Sequence, residues 1–144
     1  MTDVAHLPGF SRRNSTLYCE ALAVRSLAER FGTPLYLYSR QGLETAAADW
    51  LNGIKGTHHR VFFAVKSCST LAVLRLFDRL GLGFDIVSGG ELARCLAAGV
   101  AAEKIVYSGV GKTRQEIRAA LTAGIGCVKL EYPQDLDRVQ QEAE

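Results

Sequence analysis

Apolar and polar positions along this chain alternate between two periods. From Leu22 to Phe31 the apolar residues recur at helical spacing and stop at Gly32-Thr33-Pro34, where glycine closes a helix and proline forbids its continuation. Leu35-Tyr36-Leu37-Tyr38 reads as a short strand, and Ser39 is placed to cap a helix running to about Leu51. Val61-Phe62-Phe63-Ala64-Val65 is a run of β-formers. Helical spacing returns at Val73, Leu74, Phe77 and Leu80, closed by Gly81. Phe84-Asp85-Ile86-Val87, Ile105-Val106-Tyr107 and Cys127-Val128-Lys129-Leu130 read as strands. Helices are predicted over Glu91–Ala98, Thr113–Ala123 and Pro133–Glu144. Residues 1–20, with Pro8, Gly9 and the pair Arg12-Arg13, read as an irregular arm ahead of a folded body over 21–144.

Two stretches superpose without gaps. Glu91 to Val100 matches Glu116 to Ile125 in helix pattern and closing glycine, at the spacing of one strand–helix unit. Strict alternation of strands with helices, and strands that are nearly continuously apolar, predicts an α/β fold with a parallel sheet covered by helices. Local patterning leaves open whether that sheet is an open doubly wound one or part of a barrel.

Composition narrows the class. The chain has 144 residues, 48% hydrophobic and 22% charged, which excludes collagen-like, disordered and disulfide-scaffold classes. A formal charge of +2 is too small to argue for nucleic acid or an anionic membrane as partner. The start Met1-Thr2-Asp3-Val4-Ala5-His6 lacks a secretory pattern, and no run approaches the ~18 apolar residues of a membrane span. Cys19, Cys68, Cys95 and Cys127 are scattered without metal-ligand spacing, so no metal site is expected and a reducing cytoplasm is. Cys95 and Cys127 read as small buried hydrophobes.

Lys66 follows the strand Val61–Val65 directly. In parallel α/β folds ligands bind at the carboxyl ends of strands, so this lysine faces any site the fold has. Alternation places it on one face with Ala64 and Phe62, where small Ala64 leaves room for a flat ligand. Partial desolvation there favours the neutral amine that Schiff-base chemistry needs, although strand-end lysines also simply send their charge into solvent. Asp85 interrupts an apolar strand and needs a partner, either Lys66 or a ligand group on the one hand or backbone N–H groups on the other. Ser88 and Glu91 have capping-box spacing, as do Thr113 and Glu116, while Gly89 and Gly90 would let backbone N–H groups approach a ligand. Gly109-Val110-Gly111-Lys112-Thr113 lacks the first glycine of a nucleotide-binding loop, because Val106 stands in that place. Cys68 is a reactive-thiol candidate beside Lys66, with nothing else to support a nucleophile triad.

Taken together, Phe31-Gly32-Thr33-Pro34-Leu35-Tyr36-Leu37-Tyr38-Ser39, Phe63-Ala64-Val65-Lys66, Gly83-Phe84-Asp85-Ile86-Val87-Ser88-Gly89-Gly90-Glu91 and Ser108-Gly109-Val110-Gly111-Lys112-Thr113 carry a resemblance. In that order they resemble the N-terminal part of the diaminopimelate decarboxylase family, pyridoxal-phosphate enzymes of fold type III. Even Arg13 to Glu20 resembles one subgroup. The resemblance implies a partial (β/α)8 barrel of the alanine-racemase type, with Lys66 carrying pyridoxal 5′-phosphate as a Schiff base and serving catalysis. It further implies Asp85 beside the cofactor, Ala64 lining its pocket, and meso-diaminopimelate as the small-molecule substrate decarboxylated to lysine. The family's ring-stacking histidine, phosphate loop, carboxylate for the pyridine nitrogen and second domain are implied to lie beyond Glu144, and the full enzyme is implied to be a homodimer. Where the family carries an Ala-Asn pair after the lysine, Ser67-Cys68-Ser69-Thr70 stands here.

A complete barrel takes about 250 residues, so this chain is expected to be roughly half of one and inactive alone. Its outer strands, Val61–Val65 and Cys127–Leu130, are then expected to be unpaired edges that promote self-association. Two other functions fit the same residues. One is an ornithine- or arginine-type decarboxylase of the same fold; the other is a non-catalytic doubly wound binding module in which Lys66 is structural.

Overall fold

The computed structural model describes residues 7–143. The leader reading of Met1–His6 and the last residue of the C-terminal helix lie outside that range. The chain divides into two compact units, Met1–Lys55 and Gly56–Glu144.

The first unit corrects the expectation of an irregular arm. Strands β1 (Phe10–Arg13), β2 (Thr16–Cys19) and β3 (Leu22–Ala23) form an antiparallel sheet. Arg13 pairs with Thr16 across a two-residue turn whose members, Asn14 and Ser15, have φ of 47° and 64°. Left-handed residues at both central positions suit the twist of a tight hairpin, and an Asn-Ser turn carries a weaker signal than Asn-Gly. Helix α1 (Val24–Phe31) ends as predicted at Gly32, and α2 (Arg40–Gly53) starts at Ser39, whose Oγ accepts the Gly42 N–H at 3.0 Å. The Glu20 carboxylate joins that cap, accepting from the Gln41 N–H and the Ser39 hydroxyl, each at 2.9 Å. Those two bonds, the Gln41 one foremost, hold it below the ordinary carboxylate range. Gly9 packs against the same cap, where an added Cβ would lie 1.8 Å from the Ser39 Oγ.

Leu35–Tyr38 is not a strand. The segment has no ladder partner among the described residues, and Tyr36 is 84% exposed. Its alternating aromatics satisfy the pattern of a strand, but a strand exists only where a neighbour takes its N–H and C=O groups.

The second unit is built on a parallel sheet in the order β4 (Phe62–Ala64), β5 (Gly83–Ile86), β6 (Ile105–Tyr107), β7 (Cys127–Val128). Helices α3 (Leu71–Arg79), α4 (Gly89–Ala97), α5 (Arg114–Ala123) and α6 (Pro133–Ala143) alternate with the strands. Each helix packs on the next, so they lie on one side of the sheet. Spatial order follows chain order without a reversal. A doubly wound sheet reverses its strand order and carries helices on both faces, so the topology excludes that alternative and matches consecutive units of a barrel.

Register separates the two faces. Phe63, Phe84 and Ile105 are aligned across three strands, as are Ile86, Tyr107 and Val128, and Phe63 meets Phe77 of α3 at 4.6 Å between ring centroids. This is the helix-covered face, where Phe84, Ile86, Ile105 and Tyr107 are buried with Leu74, Ile117 and Cys95 from the helices. The internal repeat holds in three dimensions. Leu92 and Ile117 are buried at matching positions, as are Cys95 and Ala120, and Gly99 and Gly124 close the two helices with φ of 85° and 72°. Between α5 and α6, Glu142 accepts from Arg114 at 2.9 Å and Arg118 at 2.6 Å.

Candidate active site at the carboxyl ends of the strands

The opposite face of the sheet is open. Ala64, Asp85, Val106 and Cys127 form one aligned row across all four strands, and none of them is buried. The expected cover of helices is therefore present on one face of the sheet only. Cys127, read as a buried hydrophobe, is exposed for the same reason, whereas Cys95 on the helix side is buried. Burial, and next the Glu91 charge, push the Cys95 thiol up to about 11. The four cysteines form no disulfide.

Lys66 lies one step past the row. The extended strand stops at Ala64, and Val65–Ser67 turn into a short 3-10 helix with Val65 buried and the Ser67 hydroxyl donating to the Ala64 carbonyl at 2.7 Å. The alternation that linked Lys66 to Ala64 and Phe62 thus ends before Lys66, which is exposed rather than partly desolvated. It makes no hydrogen bond or ion pair with the described residues. Lys66 and Asp85 are accordingly not paired with each other. Asp85 sits beside Ala64 in the register and takes its hydrogen bond from the Ser108 hydroxyl instead.

The glycine-rich entry to α4 also departs from expectation. Three of its backbone donors are already used by the chain's own side chains. Glu91 accepts the Val87 N–H at 2.8 Å, Ser88 Oγ accepts the Glu91 N–H at 3.2 Å, and Glu116 accepts the Gly89 N–H at 2.8 Å. Gly89 therefore serves the capped start of α4, its N–H committed to Glu116. Glu116 does more than its capping-box spacing predicted. It also accepts from the Thr113 N–H at 3.0 Å, the Thr113 hydroxyl at 2.9 Å and the Tyr107 hydroxyl. These donors, the Gly89 N–H first, hold its carboxyl near 2, while burial and then the Glu116 charge push the Tyr107 hydroxyl up.

Lys112, in the segment that fails as a nucleotide loop, is 6% exposed. Its ammonium donates to the Lys129 carbonyl at 2.7 Å and lies 5.4 Å from the Tyr107 ring centroid. It braces the ends of β6 and β7 instead of reaching for phosphate. Sequence reasoning missed the bonds from the Ser108 hydroxyl to Asp85 and from the Gly89 N–H to Glu116. The only signals were the Ser108-Gly109 pair and the second capping box, neither of which names a partner on another strand.

Comparison with known proteins decides the family. A sequence-family model described as the pyridoxal binding domain of pyridoxal-dependent decarboxylases matches residues 40–144. The chain belongs to that family. A diaminopimelate decarboxylase from Pseudomonas fluorescens is 49% identical over 130 residues, covering 90% of this chain and 31% of that protein. Two solved structures of diaminopimelate decarboxylase from M. jannaschii, the second in co-complex with L-lysine, superpose with TM-scores of 0.87 and 0.86 at 29% identity. They cover 93% and 92% of this chain and 32% of each of those chains. The chain thus spans about a third of the length of these decarboxylases. Among the described residues no helix is long and apolar enough to cross a membrane, and no cluster of three His, Cys, Asp or Glu side chains is placed to hold a metal.

Proposed function

We propose that this chain is the part of a diaminopimelate decarboxylase that supplies the cofactor lysine, in an enzyme converting meso-2,6-diaminopimelate to L-lysine and CO2. The observation that carries the proposal is the position of Lys66. Its amine has no partner among the described residues and lies on the turn just past the carboxyl end of β4, the strand whose Ala64 aligns with Asp85, in a chain that matches a pyridoxal binding domain.

The residues present fit part of the cofactor. Lys66 Nζ would hold its aldehyde carbon, Ala64 would leave room for the flat ring, and the Asp85 carboxylate would lie beside it. At the starts of α4 and α5 the Gly89, Glu91, Thr113 and Glu116 N–H groups are taken by the chain's own side chains. When bound, pyridoxal phosphate supplies an electron sink for the pair left behind by departing CO2. For its part, the chain presents the lysine on the turn that follows β4 and a carboxylate on the neighbouring strand β5. The relatives' names and the 49% identity favour diaminopimelate over ornithine or arginine as substrate. Thiols without disulfides support a reducing, cytoplasmic setting. A site that draws phosphate and ring contacts from elsewhere is consistent with the homodimer expected for the whole enzyme.

Pyridoxal phosphate followed by borohydride reduction tests the assignment. Peptide mapping is expected to find the reduced adduct chiefly on Lys66, and Lys66→Ala is expected to remove it. Labelling spread evenly over the exposed lysines, and unchanged in Lys66→Ala, would overturn the proposal.

A further inference from the structure

We propose that Ser108 is a positioning residue for Asp85 and that the segment from Ser108 to Thr113 is the brace that aims it. The inference deepens the reading above by giving its carboxylate a fixed orientation, and it rests on that reading only for the identity of the ligand.

Asp85 is half-buried on the open row, and a carboxylate so placed has several staggered rotamers available. The Ser108 hydroxyl donates to Asp85 Oδ1. A hydrogen bond to an ionised acceptor is about twice as strong as a neutral one, enough to select one rotamer. Asp85 Oδ2 accepts nothing from the described residues, which leaves it for a ligand group on the open side.

The backbone around Ser108 is held at both ends. Its N–H extends the ladder by donating to the Ile86 carbonyl at 2.9 Å, so the hydroxyl is in register with the end of β5. Gly109 then passes so close to the next strand end that an added Cβ would lie 2.3 Å from the Val87 carbonyl oxygen. At the far end the buried Lys112 ammonium grips the Lys129 carbonyl, and Thr113 caps α5 together with Glu116. Val110 stands out into solvent, 71% exposed, and Gly111 and Thr113 are exposed with it. This accounts for the glycine and lysine of a motif that resembles a phosphate loop and is not one.

The test measures the Asp85 side chain directly. Three-bond couplings from the backbone N and C′ to its carboxyl carbon, in isotope-labelled protein, are expected to report one rotamer. In Ser108→Ala they are expected to move to rotamer-averaged values, and in Ser108→Thr, which keeps the hydroxyl, to stay. Unchanged couplings in a folded Ser108→Ala, or averaged couplings already in the wild type, overturn the proposal. Should Ser108→Ala not fold, the wild-type couplings and Ser108→Cys, a far weaker donor, carry the same decision. Borohydride trapping of pyridoxal phosphate on Lys66 is expected to fall by about tenfold in Ser108→Ala at an unchanged urea midpoint, with recovery in Ser108→Thr. Equal trapping in Ser108→Ala refutes the link to the ligand. No trapping on Lys66 even in the wild type refutes the functional reading, while the couplings still decide the role of Ser108.

Discussion

Replacing Glu116 by glutamine removes a charge and leaves the side chain's size intact. In the native chain this carboxylate ties three elements together, accepting from Gly89 at the start of α4, from Thr113 at the start of α5 and from Tyr107 on β6. Those bonds lower its pKa from 4.5 to about 2. Taken at face value, a displacement of that size is about 3 kcal/mol. Solvent reaches one side of the group and screens it, so about 1–2 kcal/mol is the contribution expected at neutral pH. Because the folded pKa lies below the unfolded one, the contribution is complete above about 4.5 and drains away as pH falls toward about 2. Urea unfolding followed by circular dichroism, at pH 7 and at steps down to pH 2.5, measures both quantities. Glu116→Gln is expected to be less stable by about 1–2 kcal/mol at pH 7 and to lose less than the wild type on acidification. A variant with wild-type stability at pH 7 and the same acid slope would refute the bridging role.

Other substitutions probe separate parts of the structure. Gly109→Ala forces a methyl group against the Val87 backbone and is expected to cost at least about 2 kcal/mol, read as a fall in the urea midpoint. Lys112→Met removes the cation from the Lys129 carbonyl and is expected to destabilise by about 1–2 kcal/mol in the same assay, whereas a phosphate-binding role would leave stability unchanged. Lys66→Ala is expected to change stability by no more than about 0.5 kcal/mol, since the side chain is exposed and has no partner among the described residues, while abolishing the borohydride-trapped adduct.

The candidate site was legible in the sequence to the extent that its residues sit at element ends. Lys66 follows a run of β-formers, and the end of a parallel strand is where such a fold binds ligands, so its place needed no coordinates. Asp85 was legible as an anomaly, a charge within an apolar strand, but its partner was not. The donor is Ser108, which is 23 residues away and comes alongside only because β6 lies next to β5. Lys66 shows the opposite limit. Alternation carried it onto the face of Ala64, yet the backbone leaves the strand at Ala64, because the pattern of side chains does not reveal where extended geometry gives way to a turn.

By itself the sequence determined the helix and strand periods of the second unit, the glycine closures at Gly81, Gly99 and Gly124, and the caps at Ser39, Ser88 and Thr113. These are local properties, set by side-chain spacing and by the few residues whose backbone or hydroxyl satisfies a helix end. Tertiary structure alone decided the strand order, the single-sided helix layer and the open row of Ala64, Asp85, Val106 and Cys127. It also turned Phe10–Cys19 of the arm into a hairpin and left Leu35–Tyr38 outside both sheets. The physical reason is common to all of these. A strand's N–H and C=O groups, and a carboxylate's oxygens, are satisfied by neighbours distant in the chain, and no local pattern specifies which neighbour arrives.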